Sequence, residues 1–375
     1  MKEKKLTICF FGEADSIHTL KWAAFFLKNG HKVHLISYAQ PGEYESKGIN
    51  IHTIKKKFPI ATWPINTILN LPLTVFKVRK IVKSINPDII HAHCLTSYGT
   101  LASLIRFHPY VLTTWGSDIL VNARRNLIER KIAKYVFSKA DLITCDAEHI
   151  KKAMVDLGAD SSKIKIINFG IDIYKFKPGS KDKKLKKSLG VLGYKIVISL
   201  RSLEPVYDVE SLIKAASIIL RGNPKIKFII AGEGSQEEIL KKMAKNLGIS
   251  ENINFIGRIK NEELPRYLRI ADVYVSTSLS DAGISASTAE AMACGVPVVI
   301  TDSGENKKWV KDGKEGFIVP VKNPEILAEK IKIILKKESK RLKLGNNARR
   351  VIEKKNSYYD EMKKMEELYK QLIIR

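Results

Sequence analysis

The feature that most constrains this chain is a rhythm that runs, stops and restarts. Short β-branched runs alternate with segments of helical period. The series is Leu6–Phe11 then Thr19–Lys28, Val33–Ser37, Ile89–Ala92 then Ser97–Phe107, Tyr110–Thr114 and Leu142–Cys145. Runs that stay apolar at successive positions belong to strands covered on both faces, the condition of a parallel sheet. Strands alternating with helices build a doubly wound α/β sheet.

The rhythm pauses at Asn168-Phe-Gly-Ile-Asp172 and Phe176-Lys-Pro-Gly-Ser180, then at the lysine-rich stretch 181–187. Turn residues followed by a charge run read as a linker. The rhythm then resumes. Ile196–Ser199, Ile226–Ala231, Asn254–Ile256, Val273–Ser276, Val298–Thr301 and Phe317–Val319 read as strands, and Val209–Ile219 as a helix. Ser235 and Glu238 have capping-box spacing before another helix that Gly248 stops. From Pro324 onward the chain reads as mostly helical, ending in a Met362/Met365/Leu368/Leu372 stripe. A chain of 375 residues has room for two domains. The expected division is 1–178, 179–345 and a C-terminal helical segment 346–375. Ligands of such sheets bind at the carboxyl ends of strands, here expected between the domains.

Charge narrows the partner. Lys+Arg number 65 against 39 Asp+Glu, a net +26. That excess points to nucleic acid, an anionic membrane or a phosphorylated small molecule. A hydrophobic content of 45% argues against a disordered chain. Cys9, Cys94, Cys145 and Cys294 are widely separated, so a zinc site or disulfide framework is not expected, and a reduced, cytosolic setting is. Met1–Lys5 leads directly into a strand, which does not resemble a signal peptide. Phe58–Phe76 is uncharged and bounded by Lys55–Lys57 and by Lys77, Arg79 and Lys80. Pro59, Pro64 and Pro72 are expected to interrupt any helix there, which argues against a membrane span.

The Gly232-Glu-Gly234 loop after strand Ile226–Ala231 allows either close backbone approach to a ligand or a tight β–α turn. The third glycine of a dinucleotide fingerprint is missing. The most informative stretch is Ser278–Pro297. A strand leads into small and hydroxyl residues, and a short helix opens near Ser285–Ser287 and stops at Gly295. Free N–H groups and the helix dipole at such a start suit a phosphate. Glu290, one turn in, fits either a grip on vicinal ribose hydroxyls or a Ser287–Glu290 capping box. Arg201, just past strand Ile196–Leu200, is placed for bidentate phosphate contact.

The segment Glu290-Ala-Met-Ala-Cys-Gly-Val-Pro-Val-Val resembles the donor-site signature of the retaining family 4 glycosyltransferases, which have the GT-B fold. Ile89–His93, Asn168–Asp172, Ile230–Gly234, Phe255–Arg258, Ala271–Val275 and Asp312–Gly316 extend the resemblance over nearly the whole chain. It implies two Rossmann-like domains facing a central cleft, with the C-terminal helix crossing back to the first. It also implies a nucleotide-sugar donor in the second domain, an acceptor in the first, and retention of configuration. By position, Glu290 would bind the ribose and Arg201 the diphosphate. The Gly257-Arg258-Ile259 backbone would meet the base. Gly283, Ile284 and Ser285 would bind the distal phosphate and the sugar. UDP is the favoured nucleotide.

Two departures stand out. Family members have two glutamates eight positions apart, but Ala282 stands eight before Glu290, with Asp281 one earlier, so that either a local bulge brings Asp281 to the sugar or this contact is absent. The usual lysine after the arginine is absent, and Tyr207 lies near its place. Charge developing on the leaving diphosphate then rests on Arg201 and backbone N–H groups. With no Asp-x-Asp motif, no obligatory divalent metal is expected. No carboxylate is identifiable for a covalent intermediate, which favours same-face attack by the acceptor hydroxyl.

On the acceptor side, Asp118 in Thr113-Thr-Trp-Gly-Ser-Asp118 is expected either to orient hydroxyls or to cap a helix. Gly12, Glu13 and His18 after the first strand, with His93 and Trp115, complete the expected acceptor set. His91 and His93 share a strand face but lack an apparent third metal ligand. A lipid-linked acceptor would suit docking of residues 55–83, with Trp63, on an anionic membrane. A sugar-nucleotide epimerase on the same fold and a basic nucleic-acid-binding protein are the competing readings. The second lacks any binding motif.

Overall fold

The computed structural model describes residues 4–42, 48–54, 65–281 and 283–374. The chain forms two compact units, Met1–Phe169 with Asp360–Arg375, and Gly170–Tyr359. In the first unit, β1 (Thr7–Phe11), β2 (Lys32–Ser37), β3 (Asn50–Thr53), β4 (Ile89–His93), β5 (Tyr110–Thr113), β6 (Leu142–Cys145) and β7 (Ile164–Ile166) form one sheet in the order 3-2-1-4-5-6-7. Its pairs are parallel, with Thr7 opposite Lys32 and Ile8 opposite Ile89. The strand order reverses between β1 and β4.

In the second unit, β8 (Lys195–Ser199), β9 (Ile226–Ile230), β10 (Ile253–Phe255), β11 (Val273–Ser276), β12 (Val298–Thr301) and β13 (Gly316–Val319) run in the order 10-9-8-11-12-13. The reversal here lies between β8 and β11. Both sheets are Rossmann-like, and the fold is GT-B. The reason the strands read as unbroken apolar runs is visible in β8. Val197 joins the core on one side of the sheet, and Ile196 and Ile198 join the core on the other. Each residue is buried because helices cover both faces.

The expected linker is packed structure. Ile171, Phe176 and Leu185 enter the core of the second unit, and Asp182 caps the helix Lys183–Ser188 by accepting from the Leu185 amide. The boundary therefore falls after Phe169 rather than after Pro178. The helix Glu338–Lys355 belongs to the second unit, and only the segment from Asp360 joins the first. There Met362, Met365 and Tyr369 are fully buried, whereas Leu368 and Leu372 are only half-buried.

Pro72 does not break its helix, which runs Ile65–Ile85. Proline removes one donor at a cost of about 3 kcal/mol, and buried Val78 and Val82 hold the remainder of the helix to the sheet. Lys55–Lys57 and Trp63 lie outside the described residues. Among the described residues, no helix is long and apolar enough to cross a membrane.

Candidate active site

At a switch in strand order, the loops leaving neighbouring strands diverge and open a crevice at their carboxyl ends. In the second unit those strands are β8 and β11. A cavity of about 430 Å³ sits there. Arg201 and Ser202 line it from the loop after β8, and Gly232 and Glu233 from the loop after β9. Arg258 and Ile259 follow β10, and Ser287 and Glu290 come from the helix after β11. The cavity thus gathers five expected donor-site residues: Arg201, Gly232, Arg258, Ile259 and Glu290. It adds Ser202 and Glu233, which the sequence did not single out although Glu233 stands inside the Gly-Glu-Gly loop, and Ser287, which the sequence offered only as a helix start and cap. Gly234, Gly283, Ile284 and Ser285 are not among its lining residues.

The two loop glycines have a packing reason. A Cβ on Gly232, at φ +157°, would lie 2.2 Å from the Arg201 carbonyl oxygen. One on Gly234 would lie 2.4 Å from that of Leu203. The loops after β8 and β9 touch backbone to backbone, and the Leu203 amide donates to the Glu233 carbonyl at 2.9 Å. Of the two readings of this loop, the close approach is between chain segments, and it seats Arg201. Ser235 is likewise not a cap. Its hydroxyl donates to Glu204 Oε2 at 2.6 Å, its amide donates to Glu204 Oε1 at 2.9 Å, and the helix begins at Glu237.

Arg201 is held on two sides. Its Nη2 donates to Asp281 Oδ1 at 2.8 Å, and both side chains are under a tenth exposed. The ring of Tyr207 lies under the guanidinium, 4.3 Å from centroid to Cζ. Tyr207 is in turn fixed by its carbonyl, which accepts from the Thr277 hydroxyl at 2.8 Å. Two residues expected to meet the donor are therefore partners of the arginine. Nε and Nη1 of Arg201 have no hydrogen-bond partner among the described residues, which leaves part of the fork for a ligand.

The helix Ala286–Ala293 starts one residue after Ser285, whose hydroxyl accepts from the Thr288 amide at 3.3 Å. The cap is thus Ser285 with Thr288, not Ser287 with Glu290. Glu290 lies deeper in the helix, 7% exposed, with its side chain in the cavity wall. Gly295, at φ +73°, terminates the chain segment as expected.

In the first unit the loops after β1, β4 and β5 carry the expected acceptor residues. The Gly12 amide donates to the Ile36 carbonyl, and Glu13 is exposed. His18 is exposed and packs 4.9 Å from Phe169 and 5.7 Å from Trp115, ring to ring. Burial of its ring face and the nearby Lys21 push its pKa down to about 4. Trp115 and Phe169 stack at 4.9 Å and 14°.

His93, expected to meet the acceptor, and Asp118, expected to orient hydroxyls or cap a helix, are buried, at 1% exposure each. His93 sits edge-on among Phe10, Trp22 and Trp115, and burial pushes its pKa down to about 3. His91 Nε2 lies 2.6 Å from the Thr113 hydroxyl, and its Nδ1 meets the Tyr369 hydroxyl. The Asp118 carboxylate accepts from the Leu95 amide at 2.8 Å and from the Trp115 amide at 3.0 Å. Burial nonetheless raises its pKa. It braces a strained corner, since Cys94 has φ +76°. The cap of the following helix, Ser117–Leu120, is Gly116.

Comparison with known proteins fits this geometry. The model of the Glycosyl transferases group 1 family matches residues 180–351, and that of the Glycosyl transferase 4-like family residues 7–147. The uncharacterized glycosyltransferase MJ1069 of Methanocaldococcus jannaschii is 26% identical over 65% of this chain and 62% of its own length. The alpha-monoglucosyldiacylglycerol synthase of Streptococcus pneumoniae is 27% identical over 77% of this chain and 67% of its own. The crystal structure of Anabaena Alr3699/HepE in complex with UDP-glucose superposes with a TM-score of 0.81 at 20% identity, covering 98% of this chain and all of that one. Two family models that together span most of the sequence, on two Rossmann-like sheets, place the chain in the nucleotide-sugar-dependent glycosyltransferases of family 4.

Proposed function

We propose that this chain moves a sugar, with retention of configuration, from a nucleoside diphosphate sugar to a hydroxyl of a glycan or lipid-linked acceptor. The setting would be cytoplasmic synthesis of cell-surface polysaccharide or glycolipid, and UDP is the favoured nucleotide. The observation that carries this reading is the convergence of Arg201, Arg258 and Glu290 on one cavity at the strand-order switch of the second unit. A solved relative holding UDP-glucose and a relative named as a glucosyldiacylglycerol synthase support the donor and acceptor classes.

The roles follow from chemistry. Breaking a sugar–phosphate bond puts negative charge on the leaving diphosphate and positive character on the ring. Arg201 stabilises that charge as it develops, with the amides of Gly283, Ile284 and Ser285 at the start of the helix Ala286–Ala293. Glu290 takes the two ribose hydroxyls, and the Gly257–Ile259 backbone meets the base. The acceptor hydroxyl attacks from the face the diphosphate leaves, giving its proton to a departing phosphate oxygen. In the first unit Gly12, Glu13, His18 and Trp115 form the acceptor side, and His93 and Asp118 hold that surface from beneath. Residues 55–83 would bring the unit to an anionic membrane. Lys77, Arg79, Lys80 and Lys83 are its exposed cations among the described residues.

Thermal shift against a panel of nucleoside diphosphates and their sugars tests the donor site. A UDP-dependent rise in Tm is expected, and Glu290→Ala should abolish it. No shift with any nucleotide would overturn the reading.

A further inference from the structure

The first unit exposes an apolar corner that its own fold does not use. Leu120, Val121, Leu127 and Ile128 are 36, 60, 74 and 69% exposed. Leu127 and Ile128 open the helix Leu127–Lys139, whose inward face is Ala133, Val136 and Phe137. The cap is already supplied by Asn126, which accepts from the Glu129 amide at 2.9 Å. Two large side chains at the first turn therefore serve neither the core nor the cap.

The rim of this corner has one sign of charge. Arg124, Arg125, Arg130 and Lys131 are exposed, whereas Glu129, the one acid in the stretch 120–131, is buried. Arg124 approaches Asp156 at 3.6 Å, but both side chains are largely in water, where such a pair holds little. Apolar tips ringed by cations are what an anionic lipid surface recognises. The tips enter the acyl boundary, and the cations meet the headgroups.

Its place in the fold agrees. Each crossover helix of a parallel sheet begins at the carboxyl ends of the strands. The helix Ile65–Ile85 follows β3, and Leu127–Lys139 follows β5, so both start at that rim. The helix Thr100–Ile105 packs against both. On the first of them Leu73 and Phe76 are 42 and 58% exposed. Val121 comes three residues after Asp118 in the loop that carries Trp115, so an acceptor held by lipid would emerge beside the corner.

We propose that the corner Leu120–Lys131 docks on an anionic bilayer and turns the carboxyl rim of the first sheet towards it. This deepens the reading of a lipid-linked acceptor and rests on that part of it alone.

The full chain is sedimented with phosphatidylcholine vesicles, with and without phosphatidylglycerol. Binding is expected only to the anionic vesicles and should weaken as salt is raised. Leu127→Ser with Ile128→Ser should lower it by at least about tenfold. Arg124→Gln with Arg125→Gln should lower it by about fivefold per cation removed. Circular dichroism and a melting curve matching the parent's report that each variant is folded in both units, and the UDP-dependent thermal shift reports an intact donor site. The proposal is overturned if the unaltered chain ignores anionic vesicles, or if the Leu127/Ile128 variant binds them as well as the parent. A parent chain that self-associates through this corner, and disperses when Leu127 and Ile128 are replaced, would also overturn it. Failure of UDP to bind would instead strike the donor reading and leave the vesicle result standing.

Discussion

Replacing Asp281 by asparagine should have two effects of opposite sign. Asp281 neutralises Arg201 across a 2.8 Å contact in which both side chains are over nine-tenths buried. The remaining charges of the cavity are Arg258 against Glu233 and Glu290, so with Asp281 counted the site carries no net positive charge. Removing one partner of a buried pair leaves an uncompensated charge. The cost in a full case is about 3–5 kcal/mol, and asparagine, which keeps a hydrogen-bond acceptor, should reduce it to about 2 kcal/mol. For a unit of this size that corresponds to a Tm roughly 4–8 °C lower without ligand.

An arriving diphosphate supplies the missing negative charge. If it recovers most of the cost, UDP should bind about tenfold tighter, since about 1.4 kcal/mol is a factor of ten. Calorimetric titration of UDP, with melting curves at several UDP concentrations, reads both effects on one sample. Weaker UDP binding in Asp281→Asn would refute the competition argument and make Asp281 the brace that aims Arg201. Unchanged UDP binding with weaker UDP-sugar binding would refute it differently, by placing Asp281 on the sugar.

Other outcomes follow from the first unit. His93, held at about 3, and His91, held well below the ordinary value, stay neutral when folded but take up protons when unfolded. Stability is then lost as pH falls below about 6.5, by about 1.4 kcal/mol per histidine at pH 5.5. A Tm of this unit that is flat between pH 7.5 and 5.5 would contradict that assignment. Asp118→Ala leaves the Leu95 and Trp115 amides without acceptors and should cost about 3 kcal/mol. The UDP shift, which belongs to the other unit, should not move, and a lost UDP response would show that Asp118 acts beyond its own corner.

The sequence was legible where burial is two-sided. β1, β4, β8, β11 and β12 are covered on both faces, and their apolar runs mark them. The edge strands β3 and β7 were not foreseen, because Asn50–Thr53 is half-exposed and Ile164–Ile166 spans only three residues. Short-range cap patterns misled twice for one reason. Glu204, 31 positions from Ser235, and Ser285, just upstream of Ser287, provide better partners than the local spacing implied. Arg201 and Glu290 were singled out by their places at a strand end and a helix start, and the family resemblance favoured the donor reading of both. The bond between Arg201 and Asp281 was not, because 80 residues separate them and only the fold of two loops brings them together.

The return of the last residues to the first unit has a consequence for synthesis. Gly170–Tyr359 is continuous, so the second unit can close as soon as it leaves the ribosome. The first unit cannot. Phe26 stacks on Tyr369 at 5.0 Å, and the Asn168 amide donates to Glu361 at 2.8 Å, so part of its core arrives last. The unit translated first is the one completed last. A ribosome stalled before Asp360 would hold the first unit without the buried side chains of Met362, Met365 and Tyr369.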